Sequence, residues 1–265
     1  MNILCIGDIF GRPGRVVLKE LLPKLIDQHK IDFVIVNGEN AAGGKGISDK
    51  VCVELFKNPI DVITAGNHIW EHKSIHPYFS THPIVRPLNT AEVQPGRGWM
   101  IKKGRNGVSV AVICLQGIVF MDDKGAKVVN PFNIIDEELT RISELAKVVV
   151  IDMHAETTSE KRALAWYLDG RVTALVGTHT HVQTADEEVL PKGTAYISDL
   201  GMTGPHDSVI GLDKDVAIYR FRTGDKRKYE VAKGGVRIEG VVIKIDETTG
   251  RAVEIKRIKE SLVSS

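Results

Sequence analysis

The sequence predicts an α/β fold in which strands and helices alternate in packed layers. Three observations predict it. Short apolar runs rich in β-branched residues recur along the chain, helix-like stretches with three- and four-residue apolar spacing lie between some of them, and the last segment switches to strict alternation. The runs are Ile3–Gly7, Phe33–Asn37, Val62–Ala65, Val108–Leu115, Val148–Met153, Ala174–Gly177 and Thr194–Ser198. Several are apolar throughout, which marks strands covered on both faces. Between the first two, Gly14–His29 carries Val17, Leu18, Leu21, Leu22, Leu25 and Ile26, with Pro13 near its start. Proline at a helix start and this period predict an amphipathic helix lying on a sheet. Ile135–Leu145 and Ser159–Leu168 predict two more. Val236–Asp246 alternates, turns over residues 246–250 and returns as Ala252–Ile258, the pattern of a closing hairpin. Residues 222–234 are basic and contain glycine, and are expected to form a solvated loop. There are no repeats or linkers, so residues 1–265 are expected to form a single domain.

Composition narrows the function classes. With 43% hydrophobic and 26% charged residues, 25 Gly and 10 Pro, the chain is neither disordered nor collagen-like. At this length it can bury roughly three quarters of its unfolded surface. Thirty-five Lys and Arg against 34 Asp and Glu give +1, so no global charge draws it to nucleic acid or an anionic membrane, a local patch aside. The three cysteines are widely spaced, and Cys5 and Cys114 sit inside apolar runs. That pattern predicts buried thiols in a reducing compartment. The opening apolar run stops at Asp8 with no charged leader, and no stretch approaches the ~20 apolar residues of a membrane span. The expectation is a cytoplasmic protein with no membrane partner.

The chemistry-bearing residues stand at strand ends, where ligands bind in layered α/β proteins. The first strand ends at Asp8, the second at Glu39 and Asn40, the third at Asn67 and His68, a later one at His154, and the next at His179 and His181. Taken singly each signal is weak: a lone Asp after a strand is usually a turn or cap residue, and Asn67 beside Gly66 suits a left-handed turn. His-x-His on a strand points both rings to one face, which serves a metal or simply a polar surface. Five successive strand ends delivering carboxylates, amides and imidazoles are unlike a chance distribution. Oxygen and imidazole without thiolate fit manganese, iron or zinc in a catalytic rather than a structural site. Six or seven ligands exceed what one catalytic ion needs. They suit two ions about 3.5–4 Å apart with a shared carboxylate, for which Glu39 is the natural bridge. Such a pair makes a hydroxide at neutral pH and clamps phosphoryl oxygens during in-line attack. Two tempting motifs fail. Gly43-Gly44-Lys45-Gly46 lacks the spacing and hydroxyl residue of a phosphate-binding loop, and Gly7 to Gly14 does not follow the dinucleotide fingerprint.

Gly7-Asp8, Gly38-Glu39-Asn40, Gly66-Asn67-His68, His154 and Gly177-Thr178-His179-Thr180-His181 follow the order of the calcineurin-like metallophosphoesterase motifs. The chain resembles most closely the bacterial YmdB-type branch of 2′,3′-cyclic-nucleotide phosphodiesterases, through the longer strings at residues 36–42, 177–186 and 201–205. The resemblance covers nearly the whole chain. It implies a layered β-sandwich flanked by helices. It implies one metal held by Asp8, Glu39, Asn40 and His181 and a second by Glu39, Asn67, His154 and His179, with His68 protonating the leaving ribose oxygen. An imidazole can supply that proton at neutral pH. Two positions depart from the wider superfamily: Phe10 stands where a histidine ligand is usual, with Asn40 in its place, and Glu39 replaces the usual bridging aspartate. The change from imidazole to amide favours iron or manganese over zinc, with zinc still admitted. The resemblance further implies self-association into a homo-oligomer.

The leading expectation is therefore a dinuclear metal phosphodiesterase that opens 2′,3′-cyclic nucleotides by breaking the 2′ ester. Two alternatives stand beside it: a broader phosphodiesterase, phosphatase or nuclease acting on other phosphodiesters or short RNA, and a nucleotide-sensing regulatory protein with little turnover. Phe10, Trp70, Phe120 and Phe132 could supply aromatic surface or core, and Arg12 and Arg15 could face the phosphate or solvent. Asp152, Glu156, Asp186 and Asp199 could orient imidazoles. His206 is expected in a loop, where it could line the pocket; His29, His72, His76 and His82 are read as surface or loop.

Overall fold

The computed structural model describes residues 1–121 and 126–262. Strands and helices follow in the order β1 (Asn2–Ile6), β2 (Asp8–Ile9), α1 (Gly11–His29), β3 (Phe33–Asn37), α2 (Asp49–Leu55), β4 (Val62–Thr64), α3 (Tyr78–Thr81), β5 (Ile84–Val85), β6 (Trp99–Lys103) and β7 (Ser109–Gln116). The second half runs α4 (Ile135–Ser143), β8 (Val148–His154), α5 (Thr158–Tyr167), β9 (Ala174–Thr178), β10 (Glu188–Val189), β11 (Ala195–Ile197), β12 (Met202–Pro205), α6 (Lys214–Thr223), β13 (Val236–Asp246) and β14 (Arg251–Ser261). One sheet has the order β2-β12-β13-β1-β3-β4-β5, with β14 paired to β13; the other has β10-β11-β9-β8-β7-β6.

The fully apolar runs are explained by two-sided burial. One side of the first sheet (Leu4, Ile6, Val34, Val36) packs with Leu18 and Leu22 of α1 and Leu55 of α2. Its other side (Ile3, Cys5, Phe33, Ile35) packs on Val110, Val112, Val148 and Val150 of the second sheet. The outer side of the second sheet (Ile113, Ile151) packs with Ile142 of α4 and Leu164 of α5. The layers are helices, sheet, sheet and helices, the sandwich flanked by helices that the family resemblance implies. Cys5, Cys52 and Cys114 are free and buried, and no described helix is long and apolar enough to cross a membrane.

The sheets are aligned so that both deliver parallel strands to one edge. In the first, β1, β3 and β4 are parallel neighbours. In the second, β7, β8 and β9 are. The hairpin of β13 and β14 is antiparallel, its register shifting between Lys244 and Ile245, and it closes the first sheet against β1. The basic stretch expected to be a loop is partly helical: α6 runs to Thr223, with Asp213 accepting from the backbone N–H of Asp215 and Val216 at its start. A short helix with one buried residue, Ala217, carries too little apolar periodicity to stand out in sequence.

Close backbone approach fixes the glycine at 177. A Cβ there would run into the Ser198 carbonyl oxygen and the Lys161 side chain. Gly177→Ala is expected to lower stability by about 3 kcal/mol, the upper end for overpacking, because backbone cannot rotate aside. A urea midpoint equal to that of the wild type would contradict this contact.

Candidate active site

Each expected site residue lies at or just past the carboxyl end of a strand, and all of them meet at one edge of the sandwich. Asp8 begins β2, two residues past the end of β1. Glu39 and Asn40 follow β3, Asn67 and His68 follow β4, His154 ends β8, and His179 and His181 follow β9. The two histidines lie beyond the strand, so strand alternation does not align them. They converge because both adopt left-handed backbone, at φ 105° for His179 and 65° for His181, an unusual conformation for non-glycine residues. Asp199 accepts from the Thr180 N–H at 3.0 Å and thereby holds the turn between them.

The residues form two halves around Glu39. In one, Asp8 is fully buried and its Oδ1 lies 3.5 Å from His181 Nε2 and 3.2 Å from Asn40 Nδ2. The His181 Nδ1–H faces the Ile210 carbonyl at 2.9 Å, which sets the tautomer and turns Nε2 inward. In the other, His154 Nε2 lies 3.7 Å from Glu39 Oε1 and 3.1 Å from His179 Nδ1. Thr178 Oγ1 donates to Asp152 at 2.7 Å and sits 2.9 Å from His154 Nδ1. With its own proton committed to the carboxylate, that hydroxyl accepts from Nδ1–H, which leaves Nε2 bare. Gly66 leaves the space for this ring, since a Cβ there would overlap it. Glu39 accepts from the backbone N–H groups of Gly66 and His68.

Burial and mutual proximity shift the titration of these groups. Burial raises Asp8, but the His181 imidazole outweighs it and holds the carboxyl well below the usual range. Burial lowers His181, but Asp8 outweighs it and raises the ring to about 8. Burial, with the Asp8 and Asp152 carboxylates nearby, pushes Glu39 up to about 8 against its two backbone donors. Burial lowers His154, with His179 beside it. Asn67 Oδ1 is buried without a hydrogen-bond partner, an acceptor left unpaired where such groups are normally satisfied. Among the described residues no three His, Cys, Asp or Glu side chains close into a ready-made metal cage. The donors stand at hydrogen-bond spacing, and each half also counts an amide. The donor chemistry nevertheless fits a hard divalent cation: two buried carboxylates, an unpaired amide oxygen and imidazole nitrogens are gathered at one edge of the sandwich.

His68 lines the cavity beside them. Its Nδ1 lies 3.4 Å from Glu71 Oε1, and burial, with Lys45 nearby, lowers its pKa. The site opens into a cavity of about 580 Å³ lined by Phe10, Asn40, Lys45, His68, His179 and His181, and also by residues 228–231. Lys45 belongs to the glycine-rich stretch that fails as a phosphate-binding loop, yet its position just past Asn40 brings it to the cavity. Phe10 lines the wall and meets the His181 ring edge-on at 5.5 Å.

Several surrounding residues lie elsewhere than sequence allowed for. Arg15 donates to the Ala41 carbonyl at 2.7 Å and pairs with Glu54, and Arg12 lines a separate groove along α1, so neither faces the site. Trp70, Phe120 and Phe132 do not line the cavity. Glu156 does orient an imidazole, 3.1 Å from His179 Nε2. Asp186 instead holds Ser198, and Asp199 pairs with buried Lys161 at 3.0 Å. His206 lies in a second cavity on the far side of His181, its Nε2 3.0 Å from the Met202 carbonyl oxygen.

Comparison with known proteins agrees with this architecture. The family model of YmdB-like proteins matches residues 4–258. The chain is 48% identical over 259 residues to a 2′,3′-cyclic-nucleotide 2′-phosphodiesterase of Bacillus subtilis (strain 168), covering 97% of this chain and 96% of that one. A solved phosphatase of Mycoplasma pneumoniae is 34% identical at a TM-score of 0.92, covering 98% of this chain and 93% of that one. A 5′-nucleotidase of Candida albicans SC5314, at 14% identity and a TM-score of 0.59, covers 98% of this chain but 51% of its own, and shares the fold alone. The strand-end residues thus sit in a calcineurin-like phosphoesterase sandwich, and the chain belongs to the YmdB-like protein family.

Proposed function

We propose that the chain is a metal-dependent phosphodiesterase that opens 2′,3′-cyclic nucleotides at the 2′ ester and leaves the 3′-phosphate. The observation that carries this reading is the meeting of Asp8, Glu39, Asn40, Asn67, His154, His179 and His181 from two sheets at one edge of the sandwich, beside a cavity that Asn40, His68, His179 and His181 line. The activity named for the Bacillus subtilis relative supports it. Asp8, Glu39, Asn40 and His181 would hold one cation, and Glu39, Asn67, His154 and His179 a second, with iron or manganese preferred for the amide-containing shells. When bound, such a pair supplies Lewis-acid charge to the phosphoryl group and lowers the pKa of an attacking water. Because donors come from both sheets, the reading makes residues 1–265 one functional unit.

The chain's own groups do the rest. His68 gives its proton to the departing 2′ oxygen, and Glu71 beside Nδ1 orients the ring for that transfer. Lys45 on the cavity wall offers a positive charge to a non-bridging phosphate oxygen. The carbonyl of Ile210 and the hydroxyl of Thr178 hold the His181 and His154 rings in the orientation that turns their Nε2 atoms inward.

Three outcomes test the reading. His68→Ala should lower kcat on 2′,3′-cyclic AMP by about two to four orders of magnitude, the range for a lost general acid, while bound metal measured by elemental analysis is unchanged. An unchanged rate contradicts the acid assignment. Asp8→Ala and Glu39→Ala should lose metal and turnover together, and full metal content in either variant contradicts the ligand set. Thr178→Val removes the hydroxyl that both orients His154 and donates to Asp152, and metal affinity in a chelator competition should fall about 10–100-fold.

A further inference from the structure

We propose that the preferred substrate is the 3′ end of a single-stranded RNA carrying a 2′,3′-cyclic phosphate, held by an arm made of α6 and residues 224–231. This deepens the reading above and rests on it. The chain as a whole carries +1, but residues 214–233 hold seven Lys and Arg against three Asp and Glu. Positive charge is thus concentrated in one segment, the footprint expected of a nucleic-acid surface.

Aromatic rings are interleaved with that charge. After α6 ends at Gly224, the chain folds back along the helix. The Arg227 guanidinium stacks 3.4 Å over the Tyr219 ring, and the Arg220 guanidinium 3.7 Å over the Tyr229 ring. These reciprocal stacks hold the return segment on the helix. Phe221 projects beside them at 85% exposure, while Arg222 and Lys226 form no ion pair among the described residues. A solvent-facing ring flanked by free cations is what a single strand uses: bases stack on the ring and phosphates meet the charges.

The arm leads into the active site. Lys228, Tyr229 and Val231 form one wall of the cavity that holds His68 and His181. Its root is tied to residues 209–213 by the Asp213 N–H to the Glu230 carbonyl and by the pairing of Leu212 with Val231. Ile210 of that stretch is the residue whose carbonyl orients His181. A strand lying along the arm therefore ends at the reacting centre. A 2′,3′-cyclic phosphate requires a ribose 2′-oxygen and is the end left when RNA is cleaved by its own 2′-hydroxyl, so that class of cleavage supplies the substrate. Water adds across the P–O2′ bond, the 2′ oxygen leaves as a hydroxyl with the proton from His68, and the RNA keeps a 3′-phosphate.

The test compares the metal-loaded full chain on 2′,3′-cyclic AMP and on a 5′-fluorescein octaadenylate ending in a 2′,3′-cyclic phosphate, with binding of the 3′-phosphate form followed by anisotropy. The wild type should show a kcat/KM roughly fivefold or more higher on the octamer, the gain from one stacked base. Phe221→Ala should weaken octamer binding roughly five- to hundredfold and leave turnover of cyclic AMP unchanged. Arg222→Glu with Lys226→Glu should reduce the slope of log affinity against log salt by about 1.4 or more, since each phosphate contact on a single strand contributes about 0.7. Equal kcat/KM on the two substrates, wild-type octamer binding by Phe221→Ala, or binding of phosphatidylglycerol vesicles in place of RNA would each overturn the proposal. Phe221-dependent octamer binding with no turnover of either substrate supports the arm and contradicts the cyclic-phosphate reading instead, which separates the two failures.

Discussion

The site depends on a buried polar contact that joins the two sheets beneath it. Asp152 on β8 accepts from Asn37 of β3 at 2.9 Å, from the Thr64 hydroxyl of β4, and from Thr178 of β9 at 2.7 Å. All four side chains are buried at 2% exposure or less. No Lys or Arg hydrogen-bonds or ion-pairs with Asp152 among the described residues, so these donors alone offset the desolvation of its carboxylate. Burial still pushes it up to about 6. Such a carboxylate is costly unless every donor is in place. The requirement sets the register between the sheets, because a shift of either would leave the carboxylate unpaired. The strand ends that carry Glu39, Asn67, His154 and His179 lie within three residues of these four anchors in the chain. The contact that aligns the sheets therefore also aligns the site.

Most of the fold was legible because burial on both faces writes itself as uninterrupted apolar runs. Phe33–Asn37 matches its strand at both ends, and Val148–Met153 falls one residue short. What escaped was structure decided by distant partners. Asp8–Ile9 is a strand only because it pairs with Met202–Thr203, nearly 200 residues away. Trp99–Lys103 is a half-buried strand at the end of the second sheet, too mixed in character to announce itself. The helix over 214–223 buries one residue, so charge rather than periodicity was its visible signal.

The site was legible for a different reason. Its residues are polar types placed at the ends of apolar runs, and that contrast survives in one dimension. Their orientation was not legible. The pair His179 and His181 converges through left-handed backbone rather than strand alternation. The hydroxyl of Thr178 and the carbonyl of Ile210, which set the two ring tautomers, carry no signature that separates them from any other threonine or loop carbonyl. Lys45 was visible only as a member of a motif it does not complete.

The two halves of the site differ in charge. Asp8 and His181 compensate one another as an ion pair, whereas Glu39, His154 and Asn67 have no such balance. The proposed function would put a cation in each half with Glu39 between them. Anomalous X-ray scattering from crystals of the manganese-loaded chain tests this most directly. Two peaks are expected, one beside Asp8 and His181 and one beside Asn67 and His154, with Glu39 touching both. A single peak, or peaks away from Glu39, would contradict the account.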